Sequence, residues 1–199
     1  RDNEMPAGFY AYYPYADNVE NARALNFSVR EWQGTRDEET ASDLLWGRAE
    51  GQQPTSEAVD LTLNHLLSSV IIRVVPGEGF KEGEVTDGNI QVQLCGVQTQ
   101  AQVDLSNGDI RLLGPNADIT PCPLGNLTYQ CIVVPQQLGV SNIVRLQWNG
   151  QEYALRRAIT FEGRKQYTLT VTMNKTRGGI NIGIGDWEVI DEDFGGTVS

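Results

Sequence analysis

Apolar and polar residues alternate along much of the chain after Ala58. The clearest run is 167–173 (Tyr-Thr-Leu-Thr-Val-Thr-Met), in which every second residue is apolar. A strand with one face in a core and the other in water requires this period of two, whereas a helix would scatter the same residues around its circumference. The pattern therefore predicts a mainly β protein. Further strands are predicted at 9–15, 24–29, 60–64, 69–75, 90–95, 129–134 and 180–189, the last interrupted by glycines.

An Asn-Gly pair at 149–150 predicts a β-hairpin. Asn-Gly is the preferred sequence for a two-residue type I′ turn, because both central residues must adopt positive φ. Closing the hairpin there pairs Leu146 with Tyr153 and Val144 with Leu155. These apolar residues then meet on the same face, so the turn and the pattern agree.

A second Asn-Gly pair, at 107–108, leads to the same kind of prediction. A two-residue turn there sets Leu105 opposite Ile110 and Val103 opposite Leu112, which again assembles an apolar face.

The apolar residues change phase between positions 61 and 75. One set of apolar residues stands at odd positions (Leu61, Leu63 and Leu67), and the next stands at even positions (Val70, Ile72 and Val74). A slip of one residue turns every side chain to the other face, so a bulge or short turn is expected near 68–69.

The first 57 residues differ from the rest of the chain in composition and hydrophobic pattern. Two strand-like stretches are followed by the charged, polar range 36–57, which is broken by a short apolar piece at 43–46. Two strands and a turn of helix cannot close a core. We therefore predict a domain boundary at residue 57: residues 1–57 form the remainder of an N-terminal β-sandwich domain, and residues 58–199 form a C-terminal one.

The charge excludes some classes of partner. The 199 residues carry a formal net charge of −11, from 26 acidic and 15 basic side chains. Nucleic acid and anionic membranes require clustered Lys and Arg, so neither is an expected partner. No apolar run is long enough to span a membrane, and residues 1–8 lack the pattern of a signal peptide.

The chain offers few candidates for catalysis or metal binding. Cys95, Cys122 and Cys131 lack the spacing of a zinc site or a disulfide framework; a Cys122–Cys131 bridge stays open, and buried thiols are favoured. His65 is the single histidine, and it is expected to pack at a domain edge rather than serve a catalytic triad. We therefore predict a protein that is not an enzyme, with no catalytic residue, no cofactor and no metal.

Two alternatives concern sugars. Tyrosines in 9–15 could form a stacking platform for glycans, although a strand with aromatic residues on both faces explains them better. Acidic residues near the C-terminus could form the carboxylate pair of a glycosidase, although solvated acidic tails are common at chain ends. These acidic residues are Asp186, Glu188, Asp191, Glu192 and Asp193.

Several sequence elements, taken in order, resemble the fimbrillin (Mfa-like) family, which are fimbrial and cell-adhesion proteins of Bacteroides-type bacteria. The matching pieces cover nearly the whole chain: 12–15 (Tyr-Tyr-Pro-Tyr), 42–46 (Ser-Asp-Leu-Leu-Trp), 61–67 with the strand through Val75, 103–105, 133–136, 167–175, 184–188 and 193–196.

The resemblance implies two tandem transthyretin-like β-sandwich domains, of which the N-terminal one is incomplete in this chain. It also implies export as a lipoprotein through the outer membrane, display at the cell surface or in a fimbrium, and assembly by donor-strand exchange. Family members usually have a lipobox cysteine and further strands before the Tyr-Tyr-Pro-Tyr element. By analogy, a truncated or proteolytically matured chain is expected here, since several relatives are cut after an arginine.

The function predicted from the sequence is thus a fimbrial structural subunit or surface adhesin that assembles by β-strand addition. Its expected partners are other fimbrial subunits or a copy of itself, with a surface receptor or glycan as a further partner. The alternative is a glycan-binding β-sandwich module of the cell surface.

Overall fold

A computed structural model describes residues 5–16, 19–54, 58–184 and 188–190, and this part of the chain is almost entirely β. The all-β prediction is confirmed. The single helix in the described residues is α1 (Arg36–Ala41), which is capped by Thr35. The strands are β1 (Ala7–Tyr13), β2 (Leu25–Ser28), β3 (Leu45–Gln52), β4 (Asn64–His65), β5 (Ser68–Pro76), β6 (Ile90–Asp104), β7 (Asp109–Ile119), β8 (Cys122–Gly125), β9 (Thr128–Val133), β10 (Gln136–Trp148), β11 (Gln151–Phe161), β12 (Gln166–Thr176), β13 (Gly179–Ile184) and β14 (Glu188–Ile190).

Two sheets form a β-sandwich and a third, smaller sheet adjoins it. The five-stranded sheet has the order β11-β10-β6-β2, with β7 also paired to β6. The six-stranded sheet has the order β13-β12-β5-β9-β8, with β14 also paired to β12. The small sheet has the order β1-β3-β4. Strands β5 and β12 run parallel, and the other named pairs are antiparallel.

The alternation of apolar residues produces the core. In β12, Tyr167, Leu169, Val171 and Met173 are all buried, as the sequence pattern predicts. The inward residues of both large sheets join in one apolar cluster. Burial of this surface is the main force that stabilises the fold.

The hairpin predicted at 149–150 is confirmed. Leu146 pairs with Tyr153 and Val144 with Leu155. Asn149 has φ 51° and Gly150 has φ 73°, as a type I′ turn requires.

The register predicted for the hairpin at 107–108 is wrong by two residues. Val103 pairs with Ile110, and the connection has four residues, 105–108. Leu105 leaves the ladder because it is buried in the core and its N–H donates to the carbonyl of Ala22 at 2.8 Å. The Asp104 carboxylate accepts the Ser106 N–H at 2.8 Å, which closes the longer turn.

Most of the other predicted strands are present, but 60–64 is not a strand. Of these residues only Asn64 lies in a strand, β4. The preceding segment instead crosses the face of β3: a Cβ added to Gly47 would lie 2.0 Å from the Thr62 carbonyl oxygen. The break predicted near 68–69 lies at residues 66–67, where the chain passes from the small sheet to the six-stranded one.

Residues from both sides of position 57 contribute to the sandwich. Strand β2 pairs with β6, and Leu25 and Val29 belong to the same apolar cluster as the later strands. The boundary at residue 57 stays a prediction, as does the transthyretin-like character of the two domains.

The three cysteines are buried free thiols, as the favoured interpretation predicts. Burial, together with the nearby Asp118 carboxylate, raises the pKa of Cys95 to about 11. Burial also raises the pKa of the Cys131 thiol, which is fully enclosed. Little reactive thiolate therefore forms near neutral pH.

We expect a thiolate-dependent reagent such as Ellman's reagent to react very slowly with the folded chain at pH 8. A pKa of about 11 in place of 9.0 lowers the thiolate fraction of Cys95 about 100-fold. In denaturant, all three thiols should react rapidly. Excess dithiothreitol should leave the melting temperature unchanged, and a fast reaction of one thiol in the folded chain would contradict this prediction.

Candidate functional site

The small sheet has an open edge at β1. In the order β1-β3-β4, one edge of β1 pairs with β3, and within the described residues no strand lies against the other. An edge strand offers unpaired N–H and C=O groups to another chain. Strand addition by a partner is the interaction that such an edge permits.

The register of β1 on β3 places aromatic residues on both faces of the sheet. Phe9 pairs with Ala49 and Tyr13 with Leu45, so Phe9 and Tyr13 share one face. Tyr10 and Tyr12 stand on the opposite face, opposite Arg48 and Trp46 respectively. The prediction of a strand with aromatic residues on both faces is thus confirmed.

Much of this aromatic surface is open to solvent. Phe9, Tyr10 and Tyr13 are exposed, and Tyr15 beyond the strand is 78% exposed. Tyr12 is the exception, because it packs against the core. Exposed large apolar side chains beside an unpaired edge are typical of an interaction surface.

Polar groups at the far end of the sheet are paired with one another. The Tyr10 hydroxyl donates to the Glu50 carboxylate at 3.3 Å, and Arg48 lies 3.5 Å from the same carboxylate. At this end of the sheet the charges of Arg48 and Glu50 therefore offset each other.

Trp46 attaches the small sheet to the sandwich. Its side chain is buried, and its Nε1–H donates to the Leu105 carbonyl at 2.9 Å, in the turn between β6 and β7. On the neighbouring segment, the Leu66 N–H donates to the Leu44 carbonyl at 2.9 Å. The open edge therefore stands on a sheet that is fixed to the main core.

His65 is buried next to Asp43, with its Nδ1 2.5 Å from an Asp43 carboxylate oxygen. The neighbouring Ser42 hydroxyl donates to the Glu38 carbonyl and accepts the Arg30 N–H, so its hydrogen bonds go to the backbone. This pairing fits a structural role for His65.

Other candidate chemistry is not assembled in the described part of the chain. There, no three His, Cys, Asp or Glu side chains converge as metal ligands. Asp186, Asp191, Glu192 and Asp193 of the glycosidase hypothesis lie outside the described residues, as does the side chain of Glu188. No described helix is long and apolar enough to cross a membrane.

The sequence profile of the fimbrillin-like family matches residues 1–187 of the chain. No curated protein matches the chain.

Solved structures share the fold. A candidate cell adhesion protein from Bacteroides uniformis aligns with a TM-score of 0.71 and 20% identity, over 96% of this chain and 75% of that protein. A candidate cell adhesion protein from Bacteroides ovatus aligns with a TM-score of 0.70 and 18% identity, over 93% of this chain and 68% of that protein. At these identities the similarity is one of fold.

Proposed function

Because this chain belongs to the fimbrillin-like family, we propose that it is a fimbrial subunit or surface adhesin that assembles by β-strand addition at β1. Family membership gives it a fimbrial or cell-adhesion role at the cell surface, and this is a non-enzymatic kind of protein. The observation that carries the finer proposal is the open edge of β1, flanked by exposed aromatic side chains.

The physical basis of assembly is the pairing of backbone groups. A segment from another fimbrial subunit, or from a second copy of this chain, lies along β1 and extends the small sheet. Main-chain hydrogen bonds provide the affinity, and contacts with Phe9 and Tyr13 on one face and Tyr10 on the other set the register. The N-terminal domain is in this sense incomplete, and the incoming strand completes it.

The same proposal covers export and attachment. The protein is a lipoprotein that crosses the outer membrane and is displayed in a fimbrium. Its support is the family alone.

Two adjacent proline substitutions test the edge. Neighbouring residues of a strand direct their N–H groups to opposite edges, so of Tyr10→Pro and Ala11→Pro one removes a bond to β3 and the other an outward donor. The variant that loses a bond to β3 should be destabilised. The variant that loses an outward donor should keep the monomer's melting temperature and lose self-association at high concentration, measured by analytical ultracentrifugation.

Amide hydrogen exchange supplies the second readout. In the monomer, the outward N–H groups of β1 should exchange fast while those bonded to β3 exchange slowly; after assembly, both sets should be slow. Assemblies that form equally well with both proline variants, or in which the outward amides still exchange fast, would show that β1 is not the acceptor.

A further inference from the structure

A groove of about 300 Å³ lies beside Trp32 and is formed by residues other than those of β1. Trp32 is 55% exposed, although tryptophan is usually well buried. The groove is lined by Trp32, Asp87, Gln91, Pro121, Pro123 and Tyr129, among others. An exposed indole in a concave, mostly uncharged surface is typical of a ligand-binding site.

The indole is held in one place. A Cβ added to Gly34 would lie 2.7 to 2.8 Å from atoms of the Trp32 ring, so the ring lies directly against the backbone at Gly34. Any larger residue at position 34 would displace it. The contact with Gly34 thus fixes the position of the exposed indole.

The backbone that carries Trp32 is anchored on both sides. Gln33 N–H donates to the Thr120 carbonyl at 2.8 Å, and Thr120 N–H donates to the Glu31 carbonyl at 2.7 Å. The side-chain amide of Gln33, which is fully buried, bonds to both backbone groups of Ile132. Such a scaffold presents Trp32 in a fixed orientation, which lowers the entropic cost of binding.

Polar groups with free hydrogen-bonding capacity lie in the same groove. One Asp87 carboxylate oxygen accepts from the Tyr129 hydroxyl at 3.2 Å and from the Leu127 N–H at 2.9 Å, which orients the group. The other oxygen makes no hydrogen bond within the described residues, and neither does the exposed Gln91 amide.

The geometry points to a binding site for an uncharged sugar ring of a glycan, stacked on the indole of Trp32. The apolar C–H face of a pyranose covers the aromatic ring, and its hydroxyls donate to Asp87 and bond to Gln91. This site goes beyond the assembly proposed for β1 and does not depend on it.

Charge and shape distinguish a sugar from other ligands. Among the described residues of the lining, Asp87 is the sole charged one and none is Lys or Arg, which disfavours an anionic ligand. A cationic peptide would be favoured by several aromatic faces arranged around one point. Tyr129 is buried, however, so among the described lining residues the Trp32 indole alone offers an exposed aromatic face. One flat ring with an amide and a carboxylate beside it fits a neutral pyranose.

An array of neutral and anionic oligosaccharides tests the site. We expect saturable binding of a neutral glycan by the intact chain, protection of Trp32 fluorescence from iodide quenching, and a loss of affinity of about tenfold or more in Trp32→Ala. Asp87→Asn should weaken binding as well. Gly34→Ala, which displaces the ring, should reduce affinity without removing any group that touches the sugar.

Tyr13→Ala is the matched control, since it removes an exposed aromatic residue of β1 and should leave binding unchanged. Trp32→Phe keeps a stacking face and should retain part of the affinity, which separates stacking from misfolding. The proposal is overturned by an array with no neutral glycan bound, by binding that persists in Trp32→Ala or is lost in Tyr13→Ala, or by preference for anionic glycans or cationic peptides.

Discussion

Replacing Gln33 by leucine is expected to lower the free energy of unfolding by about 3 kcal/mol or more. The Gln33 amide accepts the Ile132 N–H at 2.8 Å and donates to the Ile132 carbonyl at 2.9 Å and the Arg30 carbonyl at 3.0 Å. Leucine leaves both Ile132 groups without a partner in a buried place, and the part-buried Arg30 carbonyl loses its bond as well. Each such group costs roughly 1–3 kcal/mol.

The side chain of Gln33 makes the hydrogen bonds that a neighbouring strand would otherwise make to Ile132. Along β9, Gln130 pairs with Cys122 of β8, and Ile132 is the next residue whose backbone groups face that side. Strand β8 supplies no partner there, and the Gln33 side chain takes its place. The amide has the same donor and acceptor as a peptide group, which is why glutamine fits and leucine does not.

Gln136 repeats the arrangement in β10. Its amide accepts the Gln98 N–H at 2.8 Å and donates to the Gln98 carbonyl at 3.0 Å and the Val134 carbonyl at 2.9 Å. Gln136→Leu should therefore be destabilising by a similar amount. Gln137→Leu, at the exposed neighbouring position, is the control and should change stability by about 0.5 kcal/mol or less.

Urea denaturation followed by circular dichroism measures these differences. Equal midpoints for Gln33→Leu and Gln137→Leu would show that the buried amide is dispensable, and with it the explanation given for β9.

The sequence could predict those parts of the fold that depend on local pattern. The alternation in 167–173 and the Asn-Gly pair at 149–150 both report a property of neighbouring residues, and both are seen in the structure. At 107–108 the same dipeptide was misleading, because Leu105 gains more from burial in the core than from a place in the ladder.

Gln33, Gln136 and Trp32 could not be identified from the sequence. A glutamine in a polar stretch looks like a surface residue, and its pairing with a backbone many residues away leaves no periodic signal. No pattern in the sequence distinguishes Trp32 from a core residue, since only the three-dimensional position of Gly34 and Asp87 reveals the groove.

The Gln33→Leu variant also tests the predicted boundary at residue 57. Gln33 and β2 contact strands of the range 58–199. If residues 58–199 fold as an independent domain, Gln33→Leu should leave amide protection in β6 and β12 unchanged. Loss of protection in both strands would mean that the first 57 residues are part of the same cooperative unit.

Replacing Trp46 by alanine should cost about 3–5 kcal/mol of stability, the usual range for a buried tryptophan. Trp46 is 6% exposed and belongs to the apolar cluster of the sandwich, although it lies in the small sheet. Its ring also packs against Gly108, where an added Cβ would be 3.3 Å away. The substitution leaves a cavity between β3 and the β6–β7 turn, and an unpaired carbonyl at Leu105.

Trp46→Phe separates the two contributions, because phenylalanine fills much of the space but cannot donate to the Leu105 carbonyl. It should cost about 1–2 kcal/mol. Trp32→Ala removes the same side chain from an exposed position and should cost about 1 kcal/mol or less. If Trp46→Ala is no more destabilising than Trp32→Ala, the small sheet is not held by this contact. In that case a different contact would have to hold the small sheet, and with it the open edge of β1, in position for an incoming strand.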